Sequence, residues 1–454
     1  AIALMPRRCG RLSKNCCKMP NLRVFLAIFA FALTVRVGLI LLLDGQWGTD
    51  AFLIEDSSNY RLAAAAGIRQ SDVMPAYIAF LRLFEALFGS DLIWPILGQA
   101  VIDSLTSVAI AGIGSALKPR LALPAGVMAA LNPTQLVMAS LLLTESLFLF
   151  FCTVSLWATL TWLRRPRWFP AIVVGVALGC GILTRMMLVP WALVLPLLLL
   201  AALVILRRPL SRAIVQMAAG AAVTAILVLP IAYDNQSRFG GFGLSGQGGA
   251  HSLLWLVPLV LETVDGTPHA QGAAQMQNRF AETIARESDP FARSRAMTAA
   301  AFEVLRELGP VPLAKAWVYG AAINLFSPAI ILASPVRTLP RTGFFATEGA
   351  DKLDKIVNFL FRNDNAFYGW LLLAGTAGTL AMRFAQARGL WRLLRSGDHM
   401  ALAGMLLLAW IGFVLAVNGP IASAKYRSPA EAAFIVLLAA SLPRRAEQPD
   451  ADNG

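Results

Sequence analysis

The stretch FLIEDSSNYRLAAAAG, residues 52–67, sets two carboxylates side by side, Glu55 and Asp56, directly after a long apolar run, with Tyr60 and Arg61 close behind. Asp56 and Tyr60 are four apart and share a face if the stretch is helical, whereas Glu55 points about 100° away. A carboxylate held in that way can take a proton from an attacking hydroxyl as general base. It can equally cap a short helix, because Asp56, Ser57 and Ser58 are all N-cap residue types ahead of NYRLAAAA.

More ionisable residues stand near apolar segments. Glu145 sits in SLLLTESLFLFF, Arg185 in GILTRMMLVP, and Arg36 in the first apolar run. Lys425, Tyr426 and Arg427 follow one another in ASAKYRSPAEA. Charges at membrane depth are costly and point to function by default. Guanidinium and ammonium groups suit a lipid phosphate; each taken singly also reads as an anchor or an ion pair, for example Arg36 with Glu145. A carboxylate over a cationic phosphate site fits attack on a sugar carbon with lipid phosphate departing, the cations meeting the charge on the leaving group. No metal or other cofactor is required; Mg²⁺ or Mn²⁺ on Glu55 and Asp56 is the lesser reading. The three histidines (His251, His269, His399) have no metal-ligand spacing.

These residues must be placed by a membrane fold. The 454 residues are 57% hydrophobic and 14% charged, against about 25% charged in soluble proteins, and mean hydropathy is +0.64. Spans are expected near 22–43, 92–116, 121–138, 140–163, 169–186, 187–206, 213–233, 364–382, 400–417 and 429–442. The net charge of +13 argues for nucleic acid only until its positions are read. Lys118, Arg120, RRPRW (164–168) and RRPLSR (207–212) fall in short connections, as cytoplasmic loops require, and no soluble basic domain remains.

The expected fold is an all-α polytopic membrane protein of about 10–11 transmembrane helices. Its parts are a basic cytoplasmic N-terminus (1–21), a membrane module (22–233) with an outward first loop (44–91) bearing short interfacial helices, a long outer loop (234–363), closing spans (364–442) and a cytoplasmic tail (443–454). The apolar stretch 313–333 is read as interfacial or re-entrant, with Pro328 and Pro335 breaking it, because spanning would move the arginines after 382 outward. The first run reads as an uncleaved span, with Met5 or Met19 the expected start. Cys16 and Cys17 are juxtamembrane and open to acylation, though two plain thiols are the simpler reading. With Cys9, Cys152 and Cys180 they give no disulfide framework. The Gly-rich FGGFGLSGQGGAHS reads as a linker or a mobile lid.

The order of four stretches resembles the C-type superfamily of membrane glycosyltransferases, in particular its protein mannosyltransferase and aminoarabinose transferase-like group. EDSSNYRLAAA resembles the first-loop pattern of an acid followed four positions later by Tyr. MPAYIAFLRLFEALFGSDLIWPILGQAVIDSLTSVAI resembles the amphipathic helix and second span that follow it. LNPTQLVMASLLLTESLFLFF is similar to the Pro-then-Thr/Ser-Glu span, and AKYRSPAEAAFIVLLAA to the closing Arg-Tyr-Arg-Pro pattern, with Lys425 where Arg is usual.

The resemblance implies inverting transfer of a sugar from a polyprenyl-phosphate donor to a lipid, glycan or protein acceptor on the outer face. Asp56 would be the base, with Glu55 its competitor; Tyr60, Glu145, Arg185, Lys425, Tyr426 and Arg427 would bind substrate. The Ala/Arg-rich composition points to a bacterial inner membrane with a periplasmic site. Rival readings are a lipid-linked polysaccharide polymerase or ligase, and a lipid-sugar transporter or flippase; a transporter should carry midplane charges and inverted repeats, which the sequence lacks.

Overall fold

The computed structural model describes residues 22–340, 342–344, 347–362 and 366–443. The expectations placed on 1–21, with Cys16 and Cys17, and on the tail past 443 lie outside those residues. Among the described residues there is no strand; the helices are α1 (Leu22–Trp47), α2 (Glu55–Ala66), α3 (Pro75–Phe88), α4 (Ile93–Leu117), α5 (Ala122–Ala130), α6 (Pro133–Ala139), α7 (Glu145–Arg164), α8 (Trp168–Thr184), α9 (Val189–Ile205), α10 (Leu210–Phe239), α11 (Gln247–His251), α12 (Val257–Val264), α13 (His269–Arg279), α14 (Ala281–Arg286), α15 (Pro290–Leu308), α16 (Pro310–Phe326), α17 (Ser334–Arg337), α18 (Lys352–Val357), α19 (Ala366–Leu394), α20 (Asp398–Asn418) and α21 (Glu431–Ala440).

The ten expected spans fall on α1, α4, the α5–α6 pair, α7, α8, α9, α10, α19, α20 and α21, which alternate in direction. Six are long and apolar enough to cross a membrane, and a seventh is the α5–α6 pair, bent by 52°. Shorter apolar helices cover α8 and α21, and the arginines in the second half of α19 keep it out of the six. One end of the bundle, the loop face, carries 48–92, 140–144, 185–188, 419–430 and, of the stretch between α10 and α19, residues 240–340, 342–344 and 347–362. The other, the basic face, is tied by Arg164 to the Ala116 carbonyl, by Arg392 to Ser441 and Leu442, and by Arg208 to His399.

Helices in lipid have no hydrophobic drive to associate, so close approach at small residues takes over. A Cβ at Gly175 of α8 would lie 2.2 Å from the Gly220 carbonyl oxygen of α10, and one at Gly389 of α19 would lie 1.8 Å from that of Leu437 in α21. The bend between α5 and α6 leaves the carbonyls of Ala130 and of Ala129, which also accepts from the Asn132 amide at 3.2 Å, open to further donors within the bundle. Arg36 supplies them, and its guanidinium also contacts Gln135, Ser107 and, at 2.5 Å, Asp103. Arg36 therefore does not pair with Glu145, as one reading of the sequence had it. Its partner Asp103 is 1% exposed in α4, closer in space than the more distant Glu145, which answers another arginine.

Between α10 and α19, helices α12, α13, α15 and α16 share a small core around Leu253, Val257, Val260, Met276, Met297, Val304 and Ala316. The stretch 313–333, expected to be interfacial or re-entrant, falls on most of α16 and a short turn at Ala329–Leu332, and α17 follows it. It meets the bundle at the loop-face end of α20, where the Trp317 indole donates to the Ala416 carbonyl at 3.1 Å.

Candidate active site

Helix α2 starts at Glu55. The Ser57 hydroxyl accepts from the Ile54 amide and donates to the Leu142 carbonyl, so Ser57 closes the first turn and fastens it to the 140–144 connection. This frees Asp56 from capping. Its carboxylate instead accepts from the Lys425 ammonium at 2.5 Å, across 369 residues of chain. The Asp56 side chain is 38% exposed and that of Lys425 12%, so the acid faces open space while the base is packed behind it. Glu55 is exposed; among the described residues it has no ion-pair partner.

A second pair lies beside the first. Glu145 is the first residue of α7 and Arg185 directly follows α8, so the acid sits at a positive helix end and the cation at a negative one. They meet at 2.5 Å, with Thr144 at 3.5 Å from the same guanidinium nitrogen. Tyr60 lies between the pairs and senses Arg185, Glu145 and Asp56; burial pushes its phenol pKa up, partly offset by Arg185. Its ring meets Tyr77 edge-on at 5.2 Å, and the Tyr77 hydroxyl donates to Gln99 at 2.6 Å, whose amide donates to the Leu141 carbonyl. Four elements are thereby locked around one recess.

Lys425 lies 4.9 Å from the Tyr426 ring centroid. Burial alone would lower its pKa, but Glu145, Tyr426 and Asp56 outweigh that effect and hold it above the ordinary lysine value. The structure thus brings together Asp56, Tyr60, Glu145, Arg185, Lys425 and Tyr426. Arg427 has a different setting: its guanidinium donates to Glu431 at 2.7 Å, to the Asn324 and Ser327 carbonyls, and to Thr134. Asn132 and Thr134 also donate to Glu431. Arg427 is 3% exposed and staples the LNPT and KYRSPAE stretches together. Glu431 escaped sequence reasoning, although its i, i+4 spacing from Arg427 was the available signal.

His251 also escaped it. The 240–251 segment is pinned by the Gly246 amide to the Ser71 carbonyl, by Ser245 to Asp72, and by the Gly249 amide to Ser294. A Cβ at Gly249 would come 2.2 Å from the Ser294 carbonyl oxygen, so only glycine permits that approach. His251, at the end of α11, is solvent-accessible on one side and crowded on the other. Burial lowers its pKa below 6.5; Arg185 and Lys425 lower it further, while Asp56 opposes.

Among the described residues no three His, Cys, Asp or Glu side chains converge as a metal site. Asp56 and Glu145 each answer a basic side chain rather than each other.

Residues 72–233 match the family model described as dolichyl-phosphate-mannose-protein mannosyltransferase. No curated protein sequence matches the chain. Among solved structures, the Archaeoglobus fulgidus oligosaccharyltransferase in complex with Zn and sulfate aligns at 15% identity and TM-score 0.50, covering 92% of this chain and 48% of that one. The same enzyme tethered to an acceptor peptide containing the NVT sequon gives 15% identity and TM-score 0.49, covering 91% and 49%. ArnT from Cupriavidus metallidurans bound to undecaprenyl phosphate gives 16% identity and TM-score 0.41, covering 92% and 77%. The chain spans about half the length of the oligosaccharyltransferases it matches.

Proposed function

We propose that this chain, which has the fold of the C-type superfamily of membrane glycosyltransferases, moves a sugar from a polyprenyl-phosphate donor to a lipid, glycan or protein acceptor. The observation that carries the reading is the convergence of Asp56–Lys425 and Glu145–Arg185 on one recess of the loop face. Asp56 takes the proton of the acceptor nucleophile as its oxygen bonds to the anomeric carbon. The bond from that carbon to the lipid phosphate breaks on the opposite side, inverting the centre, and polyprenyl phosphate leaves. Arg185 and Lys425 meet the charge that develops on the departing phosphate. Lys425 is placed to turn from the carboxylate to that phosphate, leaving Asp56 open to the proton.

Two cationic side chains supply the positive charge, and in this reading transfer needs no added metal. The arginine-rich ends of the bundle belong on the cytoplasmic side, which turns the recess outward. In a bacterium that is the periplasmic face of the inner membrane.

The test is sugar transfer by purified protein in detergent, with radiolabelled polyprenyl-phosphate sugars and a membrane-lipid extract, for the parent chain and Asp56→Asn. Transfer in the presence of a chelator, lost in the variant while donor binding persists, is the expected result. Equal transfer by both proteins would remove Asp56 from the chemistry. Donor binding with no transfer by either would favour a transporter.

A further inference from the structure

On the basic face, away from the candidate active site, a cavity of about 440 Å³ opens between the end of α4, the end of α19 and the end of α21. Four basic residues line it, Lys118, Arg120, Arg392 and Arg395, and no Asp or Glu does. Three helix carboxyl ends meet there, and their exposed carbonyls would by themselves draw cations. Arg392 answers that demand by donating to the Ser441 and Leu442 carbonyls, and Arg164 does the same for α4 at Ala116. Arg120 and Arg395 are exposed and bond to no carboxylate or carbonyl among the described residues. The Arg395 guanidinium instead lies 4.0 Å from the Trp391 ring centroid, which fixes its position.

Apart from Ser396, the cavity's remaining walls are apolar. Trp391 is 54% exposed and Leu442 41% exposed, beside buried Leu121 and Leu393. A tryptophan at a helix end marks the headgroup level of a bilayer. Guanidinium groups without carboxylate partners beside exposed apolar side chains at that depth match a phosphodiester with acyl chains attached.

We propose that this cavity binds the headgroup of an anionic phospholipid, its phosphate on Arg120 and Arg395 and its chains along Trp391 and Leu442. The scattered arginines elsewhere on this face serve orientation only, and that difference is measurable.

Native mass spectrometry of the full chain, titrated with phosphatidylglycerol or phosphatidylcholine, tests it. Phosphatidylglycerol should be retained over phosphatidylcholine, and Arg120→Ala/Arg395→Ala should weaken that retention about tenfold. Arg120→Lys/Arg395→Lys should keep most of it, and Arg167→Ala/Arg212→Ala, at exposed basic-face positions outside the cavity, should leave it unchanged. Equal losses in the two alanine pairs would show diffuse charge attraction and overturn the site. Equal retention of both lipids would overturn it as well. Protection of the chain against thermal unfolding by inorganic phosphate as strong as that by phosphatidylglycerol would assign the cavity to free phosphate instead.

Discussion

The Lys425 ammonium lies 2.5 Å from an Asp56 carboxylate oxygen although 369 residues separate them, and this contact joins the first loop-face segment to the last. Lys425 stays protonated well past neutral pH because Glu145, Tyr426 and Asp56 overcome the cost of its burial. Lys425→Met should therefore lower sugar transfer by about 10²–10³-fold, the range seen when one charge-stabilising donor is removed. Lys425→Arg keeps the charge but not the compact geometry and should retain more activity than the methionine variant. Rates of transfer at saturating donor decide the point; unchanged turnover in Lys425→Met would leave the lysine a tether for α2.

Glu145 and Arg185 predict a different pattern. Glu145 is 2% exposed in its side chain and Arg185 26%, so either one left alone is a largely buried charge. Arg185→Met should cost about 3–5 kcal/mol of stability, while Arg185→Met/Glu145→Gln should recover much of it. Thermal unfolding in detergent measures the recovery. Under the proposed mechanism the double variant should still fail to transfer sugar, because no guanidinium remains at 185 to meet the leaving phosphate.

Much of this fold is legible in the sequence, and the reasons are physical. The apolar runs and the clustering of Arg164, Arg165, Arg167, Arg207, Arg208 and Arg212 reflect the bilayer directly, so the expected spans coincide with helices. Asp56, Glu145 and Arg185 stand out because charges near apolar runs are rare. Pairing is another matter. Nothing in the one-dimensional pattern distinguishes Arg36–Glu145 from the observed Arg36–Asp103 and Arg185–Glu145 pairs, since helix neighbours are set by packing. Arg427 looks like its neighbour Lys425 in the chain, yet faces Glu431 and Thr134 instead of the recess. His251 is hidden for a related reason: the Gly-rich segment before it has no periodicity, and only its contacts with Ser71, Asp72 and Ser294 bring it to the site.

The lowered pKa of His251 gives a pH dependence with a definite direction. Unfolded, the imidazole takes up a proton near its ordinary value of 6.5; folded, burial and the cations Arg185 and Lys425 delay that uptake to lower pH. Between the two values the unfolded chain binds more protons, so stability falls as pH drops below about 6.5 and levels off once the folded imidazole also protonates. His251→Gln should flatten this acid limb. Unfolding temperatures of the two proteins between pH 5 and 8 in one detergent check it, and parallel curves would show that another group controls the limb.

Asn324 controls the loop that carries Lys425. Its side chain is fully buried; the amide nitrogen donates to the Ile421 carbonyl at 3.1 Å, the amide oxygen accepts from the Ser423 amide at 2.9 Å, and its own carbonyl accepts from Arg427. The helix can come this close because Gly320 faces the Gly419 carbonyl, where a Cβ would lie 2.1 Å away. Asn324→Ala would strand a buried donor and a buried acceptor, at about 1–3 kcal/mol each, and free residues 421–425 to move. Asn324→Asp keeps the acceptor but loses the donor, so it should lie between the parent and Asn324→Ala in loop order. If the clamp positions Lys425, turnover per folded molecule should fall about tenfold in Asn324→Ala, because a displaced lysine no longer meets the leaving phosphate. Turnover should be intermediate in Asn324→Asp. Turnover per folded molecule equal to the parent, with only the unfolding temperature lowered, would restrict Asn324 to stability and show that Lys425 finds Asp56 without it.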